Sequence, residues 1–275
     1  MKLGINEATC MKNSSLELDL QLCEKYHYDY IEIRLDMLQE YLKTHTVEDL
    51  QNFFKTSHVK PYAFNSIEDI NFCTLKQEQK MLELFIFACE MSQKINNPYI
   101  IVVPTVSDEM LTKTDKEIFT DSIAVLTKLS DIAKNYGVKL AFEPIGNKRW
   151  CVRELTQCME IVTAVNRENV GVALDSFNLF LYNKLENIDS IDLVPLEKIF
   201  VYHINDSEDS SLDILDHCHR LLPGDGVIPL KEISAKLKQK GYDSIASIET
   251  FRPEYWEMNP DDVFHLGAEK TKAFL

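Results

Sequence analysis

The chain has no Cys-x-x-Cys pair, no glycine-rich phosphate-binding loop, no long apolar run and no surplus of basic residues. Each absence removes a class of function. Seven cysteines lie scattered at positions 10, 23, 73, 89, 151, 158 and 218, several of them inside apolar patterns as buried free thiols are. Without paired spacing they do not build a zinc finger, and they read as the reduced thiols of a cytoplasmic protein. The first residues, MKLGINEATC, lack the apolar core of about 7–15 residues that a secretion signal carries. The longest apolar stretch, around YIIVV, is far short of the ~20 residues needed to span a bilayer. Acidic residues number 44 against 29 basic ones, a net charge of −15. Because phosphate neutralisation dominates nucleic-acid affinity, this balance argues against nucleic acid and anionic membranes as partners. The missing glycine-rich cradle disfavours phosphorylated substrates. No low-complexity or Gly/Ser-rich linker divides the chain, so residues 1–275 are expected to form one domain.

What is present is a series of short apolar runs. Strands are expected at Lys2–Ile5, Tyr30–Arg34, Lys60–Asn65, Tyr99–Val103, Lys139–Glu143, Val170–Asp175, Lys198–His203 and Ser244–Glu249. They begin roughly 28 to 46 residues apart, about one βα unit each. The runs are continuous rather than alternating, as in parallel strands buried on both faces. Helical patterns lie between them. Ser14 with Glu17 and Thr46 with Asp49 read as capping boxes. Ser122, Leu126, Leu129, Ala133 and Tyr136 form a helical stripe ending at Gly137, and Leu155, Cys158, Met159 and Val162 form another. Eight strand–helix alternations in a chain of 275 residues predict an α/β fold, a single (β/α)₈ TIM barrel.

Four of the runs end on a residue able to bind a divalent cation. KLAFE ends on Glu143, VGVALD on Asp175, KIFVYH on His203 and SIASIE on Glu249. Carboxyl ends of barrel strands converge on the active-site face. A lone carboxylate there is commonly a cap or ion-pair partner, and a lone histidine a core residue. The same position filled in four runs is hard to obtain by accident. Three carboxylates and one imidazole form an O/N site suited to one divalent ion, Mn²⁺, Co²⁺, Zn²⁺ or Mg²⁺. A Lewis acid there acidifies the C–H beside a carbonyl, which suits a substrate with adjacent hydroxyl and carbonyl groups. Glu143 and Glu249, by type and reach, fit an acid–base pair that moves a proton between adjacent carbons through an enediol. Asp175 and His203 read as plain ligands. Asn6, Glu7, Glu32, Arg34, Asn65 and Arg252 bring further polar groups to the same face, although Glu32 and Arg34 equally read as an ion pair. Trp150, Phe177, Tyr255 and Trp256 read as pocket walls or as ordinary packing. The longest connection, between the seventh and eighth runs, contains Pro223-Gly224-Asp225-Gly226 and reads as an active-site lid or a solvated insertion.

These residues also carry a likeness. MKLGINEAT, LELDLQLCEKYHYDYIEIR, LTKLSDIAKNYGVKLAFE, VNRENVGVALDSF, KIFVYHINDSED, HRLLPGDGVI and IETFRPEYW run nearly end to end. Together they resemble the xylose isomerase-like superfamily of sugar isomerases, epimerases and AP-site nucleases. Within it, the chain is most similar to the inosose (2-keto-myo-inositol) isomerases of myo-inositol catabolism. FRPEYW and the NEAT start are more specific than the four ligands, which the wider superfamily shares. The resemblance implies metal ligands at Glu143, Asp175, His203 and Glu249, with the two glutamates as acid and base. It also implies a substrate-binding Arg220 ahead of the Pro-Gly-x-Gly turn, which favours the lid reading. Asn6, Glu32, Arg34, Asn65, Asn178, Arg252 and Trp256 are expected as further substrate contacts.

One departure stands out. Asn178 lies three residues after Asp175, where many relatives have histidine, and an amide does not titrate near neutrality. No acid–base role is carried to it. The nuclease branch builds a three-zinc cluster with extra histidines, at places held here by Asn65, Pro104 and Asn178, so AP-site cleavage is not expected. The expected function is metal-dependent isomerisation of a cyclic polyol ketone. The alternatives are a ketose 3-epimerase or hydroxypyruvate-type isomerase on the same metal site, and a catalytically inactive sugar-binding barrel. The partner is the small polyol ketone or ketose, and self-association into a homo-oligomer is left open.

Overall fold

Glycine at position 4 lets the first strand lie against the last. Strand β1 (Lys2–Asn6) pairs in parallel with β10 (Ile245–Ile248), with Gly4 opposite Ser247. A Cβ on Gly4 would stand 2.4 Å from Ile245 Cδ1, so a larger residue would displace that side chain from the seam. In the computed structural model, which describes residues 1–185 and 188–275, this pairing closes a barrel of eight parallel strands. From β1 and β10 the order continues through β7 (Ile199–His203), β6 (Val170–Asp175), β5 (Lys139–Phe142), β4 (Tyr99–Val102), β3 (Lys60–Ile67) and β2 (Tyr30–Arg34), which returns to β1. The expected (β/α)₈ barrel is the observed fold. Strand limits shift slightly, so that Glu143 and Glu249 are the first residues beyond β5 and β10.

Continuous burial explains the continuous apolar runs. Every residue of β6 and β7 is buried, because helices cover the outer face while side chains of other strands fill the inside. Near the amino-terminal end Tyr62, Ile101, Ala141, Ala173, Val201 and Ile245 plug the barrel. Each fully buried side chain of Val, Leu, Ile or Phe size contributes about 1.5–3 kcal/mol. The floor beneath the site is therefore a packed apolar layer.

The helices are α1 (Leu16–Lys25), α2 (Leu35–Tyr41), α3 (Val47–Thr56), α4 (Leu75–Ile95), α5 (Asp115–Ala133), α6 (Leu155–Val165), α7 (Ser176–Asn183), α8 (Leu230–Gln239), α9 (Pro253–Glu257) and α10 (Pro260–Thr271). Thr46 and Asp49 form the expected capping box of α3. The box expected from Ser14 and Glu17 does not form. Ser15 is the N-cap of α1, accepting from the Leu18 N–H, while the Ser14 hydroxyl donates to buried Asp19. Among the described residues no helix is long and apolar enough to cross a membrane.

The long connection after β7 is tied down rather than loose. Strands β8 (Asp206–Ser207) and β9 (Arg220–Leu221) form a two-stranded antiparallel ribbon. Asp206 accepts from the backbone N–H groups of Gly224 and Ile228 at 3.0 and 2.8 Å, which anchors the turn. Gly224 has φ 88°, and a Cβ on Gly226 would meet Ser207 O at 2.1 Å, so both glycines are required where the turn crosses the ribbon. The anchored ribbon carries Arg220 into the barrel mouth, with the side chain 1% exposed.

Candidate metal centre

Four strand ends bring Glu143, Asp175, His203 and Glu249 together. Each offers one ligand atom, and these atoms lie within 4.8 Å of one another. All four side chains are buried. Among the described residues this is the one group of three or more His, Cys, Asp and Glu side chains able to hold a metal ion.

The imidazole is aimed by what lies behind it. His203 Nε2 donates to Glu32 Oε2 at 3.2 Å, with the other oxygen, Oε1, 3.1 Å away. Nδ1 then faces the other three groups, 3.6 Å from Glu143 Oε1, 3.7 Å from Asp175 Oδ2 and 3.4 Å from Glu249 Oε2. Nδ1 is buried without a hydrogen-bond partner. A buried nitrogen orphaned among three carboxylates fits a divalent cation, since a cation would satisfy the lone pair and the clustered negative charge together.

Amides and one guanidinium hold the carboxylates. Glu249 Oε1 accepts from Asn6 Nδ2 at 2.9 Å and Asn65 Nδ2 at 3.0 Å, and Oε2 accepts from Arg220 Nη1 at 2.6 Å. Arg220 Nη1 also lies 3.1 Å from Asp175 Oδ2. Asp175, the N-cap of α7, accepts from the Asn178 N–H at 2.7 Å and from Asn205 Nδ2 at 2.8 Å. Glu143 has one side-chain donor, Asn178 Nδ2 at 2.9 Å.

This uneven support separates the two glutamates. Burial pushes Glu143 up to about 7, with Glu249 and Asp175 adding to the rise and His203 opposing it. Burial would raise Glu249 too, but His203 and Arg220 outweigh it and hold that carboxyl down at about 2. Burial alone would lower His203, yet Glu249, Glu32 and Glu143 together keep it well above its ordinary value. The site thus presents one firmly ionised carboxylate beside one that titrates near neutrality.

A cavity of about 230 Å³ opens onto Glu143, Glu249 and Arg220. Arg34 and Asn65 line it as well. Several expected substrate contacts sit elsewhere. Asn6 spends its amide on Glu249 and its Oδ1 on the Ala8 N–H, so it positions rather than reaches out. Glu32 lies beneath His203, and the side-chain amide of Asn178 supports Glu143. The Glu32–Arg34 ion pair does not form, because Glu32 turns inward to His203 while the Arg34 guanidinium reaches Asp36 at 3.0 and 3.2 Å. Arg252 and Trp256 are not part of this cavity wall. The start of α9 carries them outward, where Arg252 pairs with Glu208 and Glu254 and Trp256 Nε1 donates to Ala8 O. Of the four aromatic residues considered as walls, Trp150 lines the cavity; Phe251, not anticipated, joins it. His217 and Asn205 were also missed; HIND places Asn205 two residues after His203, a spacing that carries no chemistry until the barrel closes.

A family model described as the xylose isomerase-like TIM barrel matches residues 20–273. The chain belongs to that family. Inosose isomerase of Halalkalibacterium halodurans is 40% identical over 272 residues, covering 98% of this chain and 95% of its own. The inosose isomerase of Bacillus subtilis strain 168 is 41% identical over 272 residues, covering 98% and 96%. At that identity over nearly the whole length, this chain is an isomerase. Among solved structures, the IolI protein with a bound zinc atom matches with a TM-score of 0.95 and 40% identity, over 100% of this chain and 98% of that one. D-psicose 3-epimerase crystallised with D-fructose matches with a TM-score of 0.77 at 16% identity, over 100% and 98%, a likeness of fold alone.

Proposed function

We propose that the protein isomerises inosose, moving the ketone of a cyclic polyol to the neighbouring carbon. The full-length relatives support the substrate class. The observation that carries the mechanism is one small cavity bordered by two glutamates of opposite proton affinity. At about 230 Å³ it is smaller than the ~300 Å³ lower bound for drug-sized ligands, which suits one six-carbon ring.

Glu143, Asp175, His203 and Glu249 would hold the divalent ion, which when bound polarises the ketone and acidifies the adjacent C–H. The chain's own groups then account for the proton. One glutamate takes the hydrogen from the carbon bearing the hydroxyl; the C–H electron pair becomes the C=C bond of an enediol, the carbonyl π pair moves onto the carbonyl oxygen, and that oxygen takes the proton from the glutamate. The other takes the proton of the adjacent hydroxyl as the new C=O forms and delivers it to the former carbonyl carbon, so both carboxylates end as they began. Both glutamates are carboxylates when they hold the ion; before it binds Glu249 is the firmly ionised one and Glu143 has the higher proton affinity, so Glu249 takes the first proton and Glu143 delivers the second, and the reverse reaction exchanges the roles. Asn6, Asn65 and Arg220 fix Glu249 in one orientation, which keeps its oxygen aligned during transfer.

The test is a substrate panel on metal-loaded protein, followed by NMR, with inososes beside ketohexoses. Interconversion of inososes is the expected result. Epimerisation of a ketohexose at C3, with inososes untouched, would replace this reading by the epimerase alternative.

A further inference from the structure

We infer that His217 is a substrate-contacting residue that reads a hydroxyl of the polyol ring away from the reacting carbons. The inference extends the isomerase reading above and rests on it for the nature of the ligand.

His217 comes from a short turn of 3₁₀ helix, His217–His219, that immediately precedes β9. Asp216 caps the turn by accepting from the His217 N–H at 2.8 Å. The imidazole stacks on Phe251, with ring centres 5.4 Å apart and planes at 27°. Trp150 lies 5.6 Å away and Phe177 stands edge-on at 6.5 Å. Phe177 and Phe251 also carry Arg220, whose guanidinium carbon is 5.2 Å and 5.4 Å from their centres. The same two phenyl rings therefore hold Arg220 and His217 side by side.

Both residues line the cavity that reaches Glu143 and Glu249. Both also carry a nitrogen without a protein partner: His217 Nε2 and Arg220 Nε are shielded from solvent and unpaired. An unsatisfied buried nitrogen is costly, and a folded chain tolerates it where a ligand completes the bond. Arg220 Nη1 is committed to the carboxylates, which leaves the imidazole free to recognise a group farther along the ring. Burial and the charge of Arg220 lower His217 to about 4, which keeps it neutral at neutral pH. A neutral imidazole offers a donor or an acceptor to a hydroxyl, whereas an imidazolium could only donate. Trp150 and Phe251 line the same cavity and add apolar wall for the C–H groups of a polyol ring.

Two variants separate hydrogen bonding from packing. His217→Phe keeps the stack and removes both nitrogens; His217→Asn keeps a polar group and removes the stack. With inosose as substrate, His217→Phe is expected to raise KM about tenfold, the worth of one neutral hydrogen bond, with kcat, metal content and melting temperature near those of the parent. His217→Asn should recover part of the loss. A parental KM in His217→Phe overturns the assignment. Independently, the ¹⁵N resonance of the His217 imidazole, identified by its absence in His217→Phe, is followed during titration of the metal-loaded parent with inosose. A saturable shift supports the contact, and turnover with no shift overturns it. A shift without turnover keeps the contact and removes the isomerase reading, so the two ideas fail separately.

Discussion

Glu32 Oε1 lies 3.1 Å from His203 Nε2, and both side chains are fully buried. This one contact decides which imidazole nitrogen faces the three carboxylates. Glu32 accepts from Nε2 through Oε2 at 3.2 Å and leaves Nδ1 to face Glu143, Asp175 and Glu249. Glu32→Gln keeps the shape and removes the charge, and the glutamine can present its NH₂ to Nε2 and favour the other tautomer. Metal affinity of Glu32→Gln, measured by chelator competition, should fall roughly 10–100-fold. Unchanged affinity would mean that His203 needs no orienting carboxylate.

Proton release should accompany metal uptake. Around His203 the charges of Glu249, Glu32 and Glu143 outweigh burial and hold the imidazole well above its ordinary value, while burial lifts Glu143 to about 7. Both must lose a proton to act as ligands. Because both values are raised, protons compete best at low pH and the competition fades as pH rises. From pH 6 to pH 8 the affinity for Zn²⁺ or Mn²⁺ should rise by at least about 100-fold. Calorimetry in buffers of different ionisation enthalpy should show more than one proton released per ion at neutral pH. A pH-independent affinity would contradict the electrostatics of this cluster.

The barrel and the gathering of the four candidate ligands at one rim were legible because both follow from short-range pattern. A run buried on both faces announces a parallel strand, and the residue closing each run must arrive at one rim. What was not legible depends on register between distant strands and on loop path. Asn6, Asn178 and Glu32 were expected to touch substrate, and nothing in the local sequence says that barrel closure points them at Glu249, Glu143 and His203 instead. Arg252 and Trp256 follow the last strand as closely as ligands would, but Pro253 starts a helical turn that swings them away. His217 enters the site because the β8–β9 ribbon folds back over the barrel mouth, a long-range arrangement with no periodic trace.

Away from the metal cluster, Glu7 and Asp19 form a buried acidic pair whose cost is measurable. Glu7 Oε1 and Asp19 Oδ2 each lack a hydrogen-bond partner, so one shared proton would satisfy both. Burial raises Asp19 to about 7, and burial together with the charge of Asp19 raises Glu7. The folded chain therefore retains protons between pH 3.8 and about 7 that the unfolded chain has released. Stability falls as pH rises through that window, and the rise in Glu7 carries the loss in the same direction. Asp19→Asn places a permanent donor beside Glu7 and leaves an oxygen to accept from Ser14. Its melting temperature should exceed the parent's by on the order of 5 °C at pH 8, and by less at pH 5. A gain that is equal at both pH values, or larger at pH 5, would rule out the shared proton.

The isotope experiment bears on the glutamate pair directly. If Glu143 and Glu249 carry the migrating hydrogen, it spends time on a carboxyl that exchanges with solvent, and reaction in D₂O should place deuterium on the carbon that was the ketone. Partial washing of deuterium into recovered substrate would accompany slow return to carbon. A direct hydride shift between the two carbons would leave the product unlabelled. Glu143→Gln and Glu249→Gln each remove one proton carrier, and turnover should fall by at least the ~10²–10⁴-fold typical of a lost general base, with metal loss adding to it. Measuring metal content on the same samples separates the two contributions. The variants should also differ: Glu249 anchors Arg220, Asn6 and Asn65, whereas among the described residues Glu143 accepts from the side chain of Asn178. Glu249→Gln exchanges an anion facing Arg220 for an amide and should lower the melting temperature as well, while Glu143→Gln removes a carboxyl already half neutral near pH 7 and should leave it almost unchanged. An unlabelled product together with near-full turnover in either metal-replete variant would end the two-glutamate mechanism, because the hydrogen would then travel without a carboxyl to carry it.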